Sequence, residues 1–278
     1  MKISNNTIFK KNSIIEKKFL DKTRFKRERY FYNIFKNKKL NIPKVVYFKK
    51  NKIIFKKYEF RKINSQKKFF FELLKFLVKI NKVKNYKIHA KERLKSYKDL
   101  KRQVLTRYNK FKKINFEKCY LKKSDQINFF LKDIIDKSPK DIKLEISKKI
   151  ISQSDIGFHN CALHKKKVFF YDFEYSGLDN PIKLICDVYY QPEKKISKKM
   201  MIKFVKEFQK EFNFKLPDNF YIFEKLYRAK MIMIILNIFF KNSKKFYSKL
   251  SSNINLQKLQ LERLNKAYRY IKTEYLYE

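Results

Sequence analysis

The sequence predicts an α+β protein: a small N-terminal antiparallel sheet with one helix, then a larger, mainly helical part. Three observations carry this. Before about residue 60, apolar residues alternate in short runs with a period of two, the signature of half-buried strands. Beyond it, apolar residues recur every three or four positions over long runs, the signature of helices with one buried face. Apolar residues make up 44% of a 278-residue chain, enough for a sizeable core despite 35% charged residues. The expected division is 1–60 and 61–278.

In the first part, Thr7–Phe9 and Ser13–Leu20 read as strands, and Ile15, Lys17 and Phe19 share one face of the second. Thr23 is placed to cap a helix over Arg24–Lys36, where Phe31, Ile34 and Phe35 form an apolar stripe with Glu28 on the same side. Pro43 breaks the chain, and Val45–Phe48 and Lys52–Lys56 follow as strands joined at Lys49–Asn51. In the second part, Phe70, Leu73, Leu74, Leu77 and Ile80 mark one helix face. Ile127–Ile135 and Ile142–Ile151 are further helical candidates separated by Ser138-Pro139, and Asn81–Asp99 is the most polar region. Ile196, Met200, Phe204, Phe208 and Phe212 repeat every four residues before Pro217. Phe220–Phe240 is apolar almost all round, as a central core helix is, and Leu256, Leu259, Leu264, Ala267, Ile271 and Tyr275 outline a terminal amphipathic helix.

The net charge of +45 invites a nucleic-acid or polyanion partner. Composition argues otherwise. Lys, Ile, Asn, Phe and Tyr, with A/T-rich codons, are abundant, while there are 2 Gly, 5 Pro and no Trp. The basic residues are also spread along the chain rather than clustered, so nucleic acid is not an expected partner and a basic polyanion-binding protein is the alternative. Cys119, Cys161 and Cys186 are odd in number and widely spaced, which gives no disulfide framework; Cys161-x-x-His164 alone is too little for zinc. The first residues have no apolar signal-peptide core, and the longest apolar run, Met231–Phe240, is too short to span a bilayer. A cytoplasmic protein is expected.

The chemistry concentrates in Ile151–Asp187, which holds both glycines (Gly157 and Gly177), two of three histidines and two of three cysteines. Asp155 is followed five residues later by Asn160, then by apolar Val168–Tyr171 leading into Asp172-Phe173-Glu174. Metal-assisted phosphoryl transfer needs such a set: one Asp to orient or deprotonate a hydroxyl, and an Asn and a second Asp to hold magnesium against ATP phosphates. Each residue alone has an ordinary structural use in a turn or cap. Together, with strand-like segments between them, they make a site.

The run Ser154-Asp155-Ile156-Gly157-Phe158-His159-Asn160, then Phe170–Gly177, Asp179-Asn180-Pro181 and Asp187, resembles the catalytic core of the aminoglycoside phosphotransferase/choline kinase family. The resemblance implies a bilobal protein-kinase-like fold that transfers the ATP γ-phosphate to a small-molecule hydroxyl on a sugar, amino alcohol or aminoglycoside-like acceptor. It implies Asp155 as the catalytic base, Asn160 and Asp172 as magnesium ligands, and Asp187 as support behind the catalytic loop. Glu174 would join the metal through water. Lys17, with Lys18 as competitor, would contact the ATP phosphates with Glu28 as its helix partner, and Ile54–Phe60 would pass along the adenine. Two departures stand out. Gln153 occupies a position where many family members have His, and no glycine precedes residue 157, so Ile3–Lys11 would cover the nucleotide without a glycine-rich loop. The second departure makes a catalytically inactive kinase-like scaffold the other alternative. His159 is expected to pack the loop.

Overall fold

The computed structural model describes residues 6–10, 13–83, 86–143, 148–240 and 255–277. Its strands are β1 (Asn6–Lys10), β2 (Ile14–Phe19), β3 (Val45–Lys49), β4 (Lys52–Lys56), β5 (Ile150–Ser152), β6 (Cys161–His164), β7 (Lys167–Phe170) and β8 (Gly177–Asp179). Its helices are α1 (Lys22–Phe35), α2 (Gln66–Asn81), α3 (Tyr97–Phe111), α4 (Leu121–Lys137), α5 (Pro181–Tyr189), α6 (Lys198–Phe212), α7 (Phe220–Ile235) and α8 (Leu256–Ile271). The chain divides into two units, one of Met1–Arg93 with Ile146–Leu216, the other of Leu94–Glu145 with Pro217–Glu278.

In the first unit, β1–β4 form an antiparallel sheet in the order β1-β2-β4-β3. The period of two buries Lys17 and Phe19 and leaves Lys18 exposed. The 3.6-residue period of α1 buries Phe25, Glu28, Phe31, Tyr32 and Phe35. The cap of this helix is Asp21, not Thr23: its carboxylate accepts from the Thr23 amide at 2.7 Å and the Arg24 amide at 3.4 Å. A carboxylate at this end also complements the helix dipole, which a Thr hydroxyl does not.

The expected helix over Ile142–Ile151 is corrected at its C-terminal end. Residues 144–147 lie outside the described residues, and Ile150–Ser152 is a buried strand paired with β8. Tertiary partners decide this: Ile151 sits opposite Leu178 of β8 and is bracketed on its other edge by the Asn81 side chain, which accepts from its amide at 2.7 Å and donates to its carbonyl at 3.0 Å. β6 and β7 form an antiparallel hairpin, and α2 packs on α6 through Phe70 and Phe204, 5.0 Å between ring centres.

The second unit is helical. α3 begins inside the polar region Asn81–Asp99, and buries Tyr97, Leu100, Val104, Tyr108 and Phe111 against α7. α7 is buried nearly all round, as its sequence implies, and α4 and α8 pack with it. Two of its buried charges bind backbone near the end of the described chain: an Arg228 Nη2 donates to the Ile271 carbonyl at 2.6 Å, and Glu224 accepts from the Leu276 amide at 2.8 Å. No helix among the described residues is long and apolar enough to cross a membrane.

Candidate active site

Lys17 and Glu28 meet because strand and helix periods point both inward. The Lys17 ammonium lies 2.6 Å from Glu28 Oε2, 2.7 Å from Asp172 Oδ1 and 3.5 Å from Glu174 Oε2. Burial alone would lower the lysine, but the carboxylates of Glu28, Asp172 and Glu174 outweigh it and hold the ammonium above its ordinary value. Burial pushes Glu28 up to about 8, against the pull of Lys17. Lys18, on the opposite strand face, is exposed.

Asp172 follows β7 with φ 69°, a left-handed conformation that Asp tolerates better than most residues and that clusters at functional sites. Two neighbours hold it. Gln153, fully buried, donates its side-chain amide to the carbonyls of Tyr171 and Asp172. Phe173 stacks on Phe31 with ring centres 3.9 Å apart. Glu174 is 4% exposed and accepts from Arg24 at 2.9 Å.

The second arm of the site is the loop after β5. Ser154 is left-handed at φ 62°, which turns the chain into Asp155. The Asn160 amide nitrogen donates to the Asp155 carbonyl at 2.7 Å and to its Oδ2 at 3.0 Å, and His159 Nε2 lies 2.9 Å from Asp155 Oδ1. His159 therefore does more than pack the loop: it shares the carboxylate with Asn160. The Asp155 side chain is 45% exposed, so it remains open to an incoming group. Asn160 reaches the Asp172 arm through backbone, since the Tyr171 amide donates to its carbonyl at 3.0 Å.

Asp187 contacts this loop through a residue the sequence did not single out. The Lys183 ammonium, one turn earlier on α5, lies 2.6 Å from Asp187, 3.1 Å from Asp179 and 2.9 Å from Ser154 Oγ. Burial would lower Lys183, but Asp179 and Asp187 hold it above its ordinary value.

Lys17, Glu28 and Asp172 line a cavity of about 290 Å³ whose other walls include Ile15, Pro43 and Phe55. That is about the lower bound for small-molecule sites, apolar with a few convergent polar groups. Lys56 and Phe60, from the expected adenine segment Ile54–Phe60, also line it, as do Ile8 and Lys10; residues 3–5 and 11 of the expected nucleotide cover lie outside the described residues. One carboxylate oxygen from each of Glu28, Asp172 and Glu174 lies within 4.8 Å of the others, an all-oxygen set of the kind a hard divalent cation takes. Cys161 and His164 form no metal pair: the thiol donates to the Gly157 carbonyl at 3.3 Å, and His164 Nδ1 lies 3.2 Å from the Glu59 carbonyl.

No protein-family model matches the sequence, and no curated protein matches it by sequence. Solved structures match it by fold. A choline kinase from Streptococcus pneumoniae is 13% identical at a TM-score of 0.54, over 97% of this chain and 90% of that one. A spectinomycin phosphotransferase in complex with ADP and spectinomycin is 14% identical at 0.55, over 98% and 90%. An ADP-bound aminoglycoside phosphotransferase is 15% identical at 0.52, over 98% and 95%. The chain has the protein-kinase-like fold of aminoglycoside phosphotransferases and choline kinases.

On this fold the residues singled out from sequence fall into two connected groups: Lys17, Glu28, Asp172 and Glu174 around one ammonium, and Asp155 with Asn160 in one loop, braced by Asp187 through Lys183. Sequence reading missed Arg24 and Lys183. Both are basic residues in a chain with 71 Lys and Arg, and only their partners mark them.

Proposed function

We propose that this protein is an ATP- and magnesium-dependent phosphotransferase that moves the γ-phosphate to a hydroxyl of a small molecule. One observation carries the reading: the Lys17 ammonium is bonded to both Glu28 and Asp172 at the wall of one cavity. A strand residue, a residue of the following helix and one 155 positions beyond the strand residue thus make a charged cluster that costs desolvation and does little for stability alone. A phosphate-binding lysine fixed by its helix partner explains it.

In this reading residues 1–60 serve the nucleotide, and 61–278 carry the catalytic loop and acceptor site. The acceptor hydroxyl meets the Asp155 carboxylate, which orients it and takes its proton as the hydroxyl oxygen bonds to the γ-phosphorus. The bond between that phosphorus and the β–γ bridging oxygen breaks, and ADP leaves. Lys17 holds the phosphates, and Glu28 keeps the lysine aimed. Asn160 and Asp172 offer the oxygens for magnesium, with Glu174 contributing through water. When bound, magnesium screens the phosphate charge and aligns the γ-phosphate. The fold neighbours include a choline kinase and a spectinomycin phosphotransferase, which supports an amino alcohol, sugar or aminoglycoside-like acceptor. An enzyme that draws on ATP belongs in the cytoplasm.

The test is a thermal shift with the non-hydrolysable ATP analogue AMP-PNP, with and without magnesium. Ligand at about 100-fold excess over Kd stabilises by about 2.7 kcal/mol. The expected upward shift requires magnesium and disappears in Asp172→Ala. No shift at millimolar analogue sinks the reading.

A further inference from the structure

Helix α1 grips the segment after β7 with one face. Arg24, Arg27, Glu28 and Phe31, spaced by three and four residues, lie on that face. Phe31 stacks on Phe173 at 3.9 Å, Arg27 Nη1 donates to the Ser176 carbonyl at 3.1 Å, and Glu28 reaches Asp172 through Lys17. Arg24 takes the other acid of the segment. Its Nη1 donates to Glu174 Oε1 at 2.9 Å, and its guanidinium lies over the Tyr175 ring at 4.9 Å. The second oxygen of Glu174 is 3.5 Å from the Lys17 ammonium. One carboxylate therefore stands between two cations, in a place where the Arg24 side chain is 13% exposed and that of Glu174 6%. Lys17 bonds Glu28 and Asp172 at 2.6 and 2.7 Å and Glu174 only at longer range, while Arg24 has Glu174 at 2.9 Å. Among the described residues, Arg24 is not part of the wall of the cavity beside Lys17. Its influence on a ligand there runs through Glu174 and the ammonium that this carboxylate faces. A buried carboxylate that loses its bonded cation is drawn to the next one, here Lys17, and the attraction is strong where water is excluded. An ammonium pulled toward a third carboxylate has less to give a phosphate.

We propose that Arg24 is a positioning residue for phosphate binding: it holds Glu174 so that the Lys17 ammonium stays aimed at the phosphates of the nucleotide. The inference rests on the nucleotide-binding reading above. It gives the first turn of α1 a part in the reaction without contact to either substrate.

Arg24→Met removes the guanidinium, while Arg27 and Phe31 still hold the segment. The Kd for AMP-PNP with magnesium, measured by calorimetry, is expected to rise about 10-fold, the factor one charge-assisted hydrogen bond to phosphate supplies. The Kd for adenosine, which has the base and ribose but no phosphate, should stay the same. Equal weakening of both ligands overturns the inference, since Arg24 would then serve the shape of the site as a whole. An unchanged Kd for AMP-PNP overturns it too. In the Glu174→Gln background, Arg24→Met should leave the Kd where Glu174→Gln alone puts it, because no carboxylate remains to be restrained. A further rise there shows that Arg24 acts on something other than Glu174, and sinks the proposal. This comparison stands even where Arg24→Met alone unfolds the chain, since the pair removes both the guanidinium and the carboxylate it compensates. Wild-type protein that fails to bind AMP-PNP overturns the functional reading itself, so the two failures are distinguishable.

Discussion

Lys183 is the side chain through which α5 reaches the loop after β5. It is 1% exposed and holds two carboxylates, Asp179 and Asp187, together with the hydroxyl of Ser154. Removing one partner of a buried ionic cluster leaves uncompensated charge and costs about 3–5 kcal/mol. Lys183→Met is therefore expected to lower the unfolding free energy measured in urea by that amount, and Lys183→Met with Asp187→Asn to recover part of it, since one unpaired charge is gone. A double variant no more stable than the single one would show that the carboxylate is not what the ammonium compensates. Asp155 lies on the other side of Ser154 and is predicted to behave differently. Asp155→Asn should keep the magnesium-dependent AMP-PNP shift and lose about 10²–10⁴-fold in kcat, the range for general-base catalysis. At this scale the legibility of the sequence depended on residue type. Asp155 and Asp172 stood out because acidic residues are scarce, and Asn160 because of its place in order between them; Lys17 could be preferred to Lys18 because its strand neighbours Ile15 and Phe19 are apolar. Lys183 and Arg24 could not be read, since no spacing distinguishes a buried basic residue from an exposed one when its partners are more than a hundred residues away or hidden on the same helix.

Elements show the same division between local and distant causes. The strands β1–β4 and the helices α2, α4, α6, α7 and α8 were legible because their burial follows a period the sequence displays. β5 was not, because the run Ile150–Ser152 is apolar on both faces and its strand character comes from β8 and Asn81. α3 had a readable stripe of Tyr97, Leu100, Val104, Tyr108 and Phe111, masked by the charged residues between them. β8 is short and depends on Gly177, where an added Cβ would sit 2.2 Å from the Ala90 amide nitrogen and 2.3 Å from the His89 carbonyl carbon. Backbone cannot yield as a side chain can. Gly177→Ala is expected to destabilise by about 3 kcal/mol, the upper end for forced overpacking. A Cβ at Gly157 would instead meet the side chains of His159 at 2.8 Å and Gln191 at 2.9 Å. Gly157→Ala should therefore cost less in the same unfolding assay, and its signature should be a lower kcat as His159 is pushed away from Asp155. The order of the two midpoints checks this, and a Gly157 variant less stable than the Gly177 one would contradict it.

For the whole molecule, the buried groups set the response to alkaline pH. Lys17 and Lys183 are held above their ordinary values by neighbouring carboxylates, and Tyr86, Tyr171, Tyr175 and Tyr270 are raised chiefly by burial. In the unfolded chain these groups lose their protons near pH 10, while the folded chain retains them. The folded state then binds more protons than the unfolded one, so this part of the stability is complete below about pH 10 and falls as pH rises further. A net charge of +45 works in the opposite sense, because deprotonating surface lysines relieves self-repulsion over the same range. High salt removes most of that relief by screening exposed charges while leaving buried groups largely unaffected. Urea unfolding in about 0.5 M KCl should thus show stability level from pH 8 to pH 10 and declining beyond it. Tyr86→Phe isolates one contributor, because its hydroxyl is buried without a partner among the described residues and the ring packs against Tyr30 at 5.4 Å. At pH 11, about one unit above the unfolded value, the variant should gain about 1.4 kcal/mol on the wild type relative to their difference at pH 8. An equal difference at both pH values would mean that Tyr86 titrates alike in folded and unfolded chains, and that the alkaline loss arises in the lysine clusters.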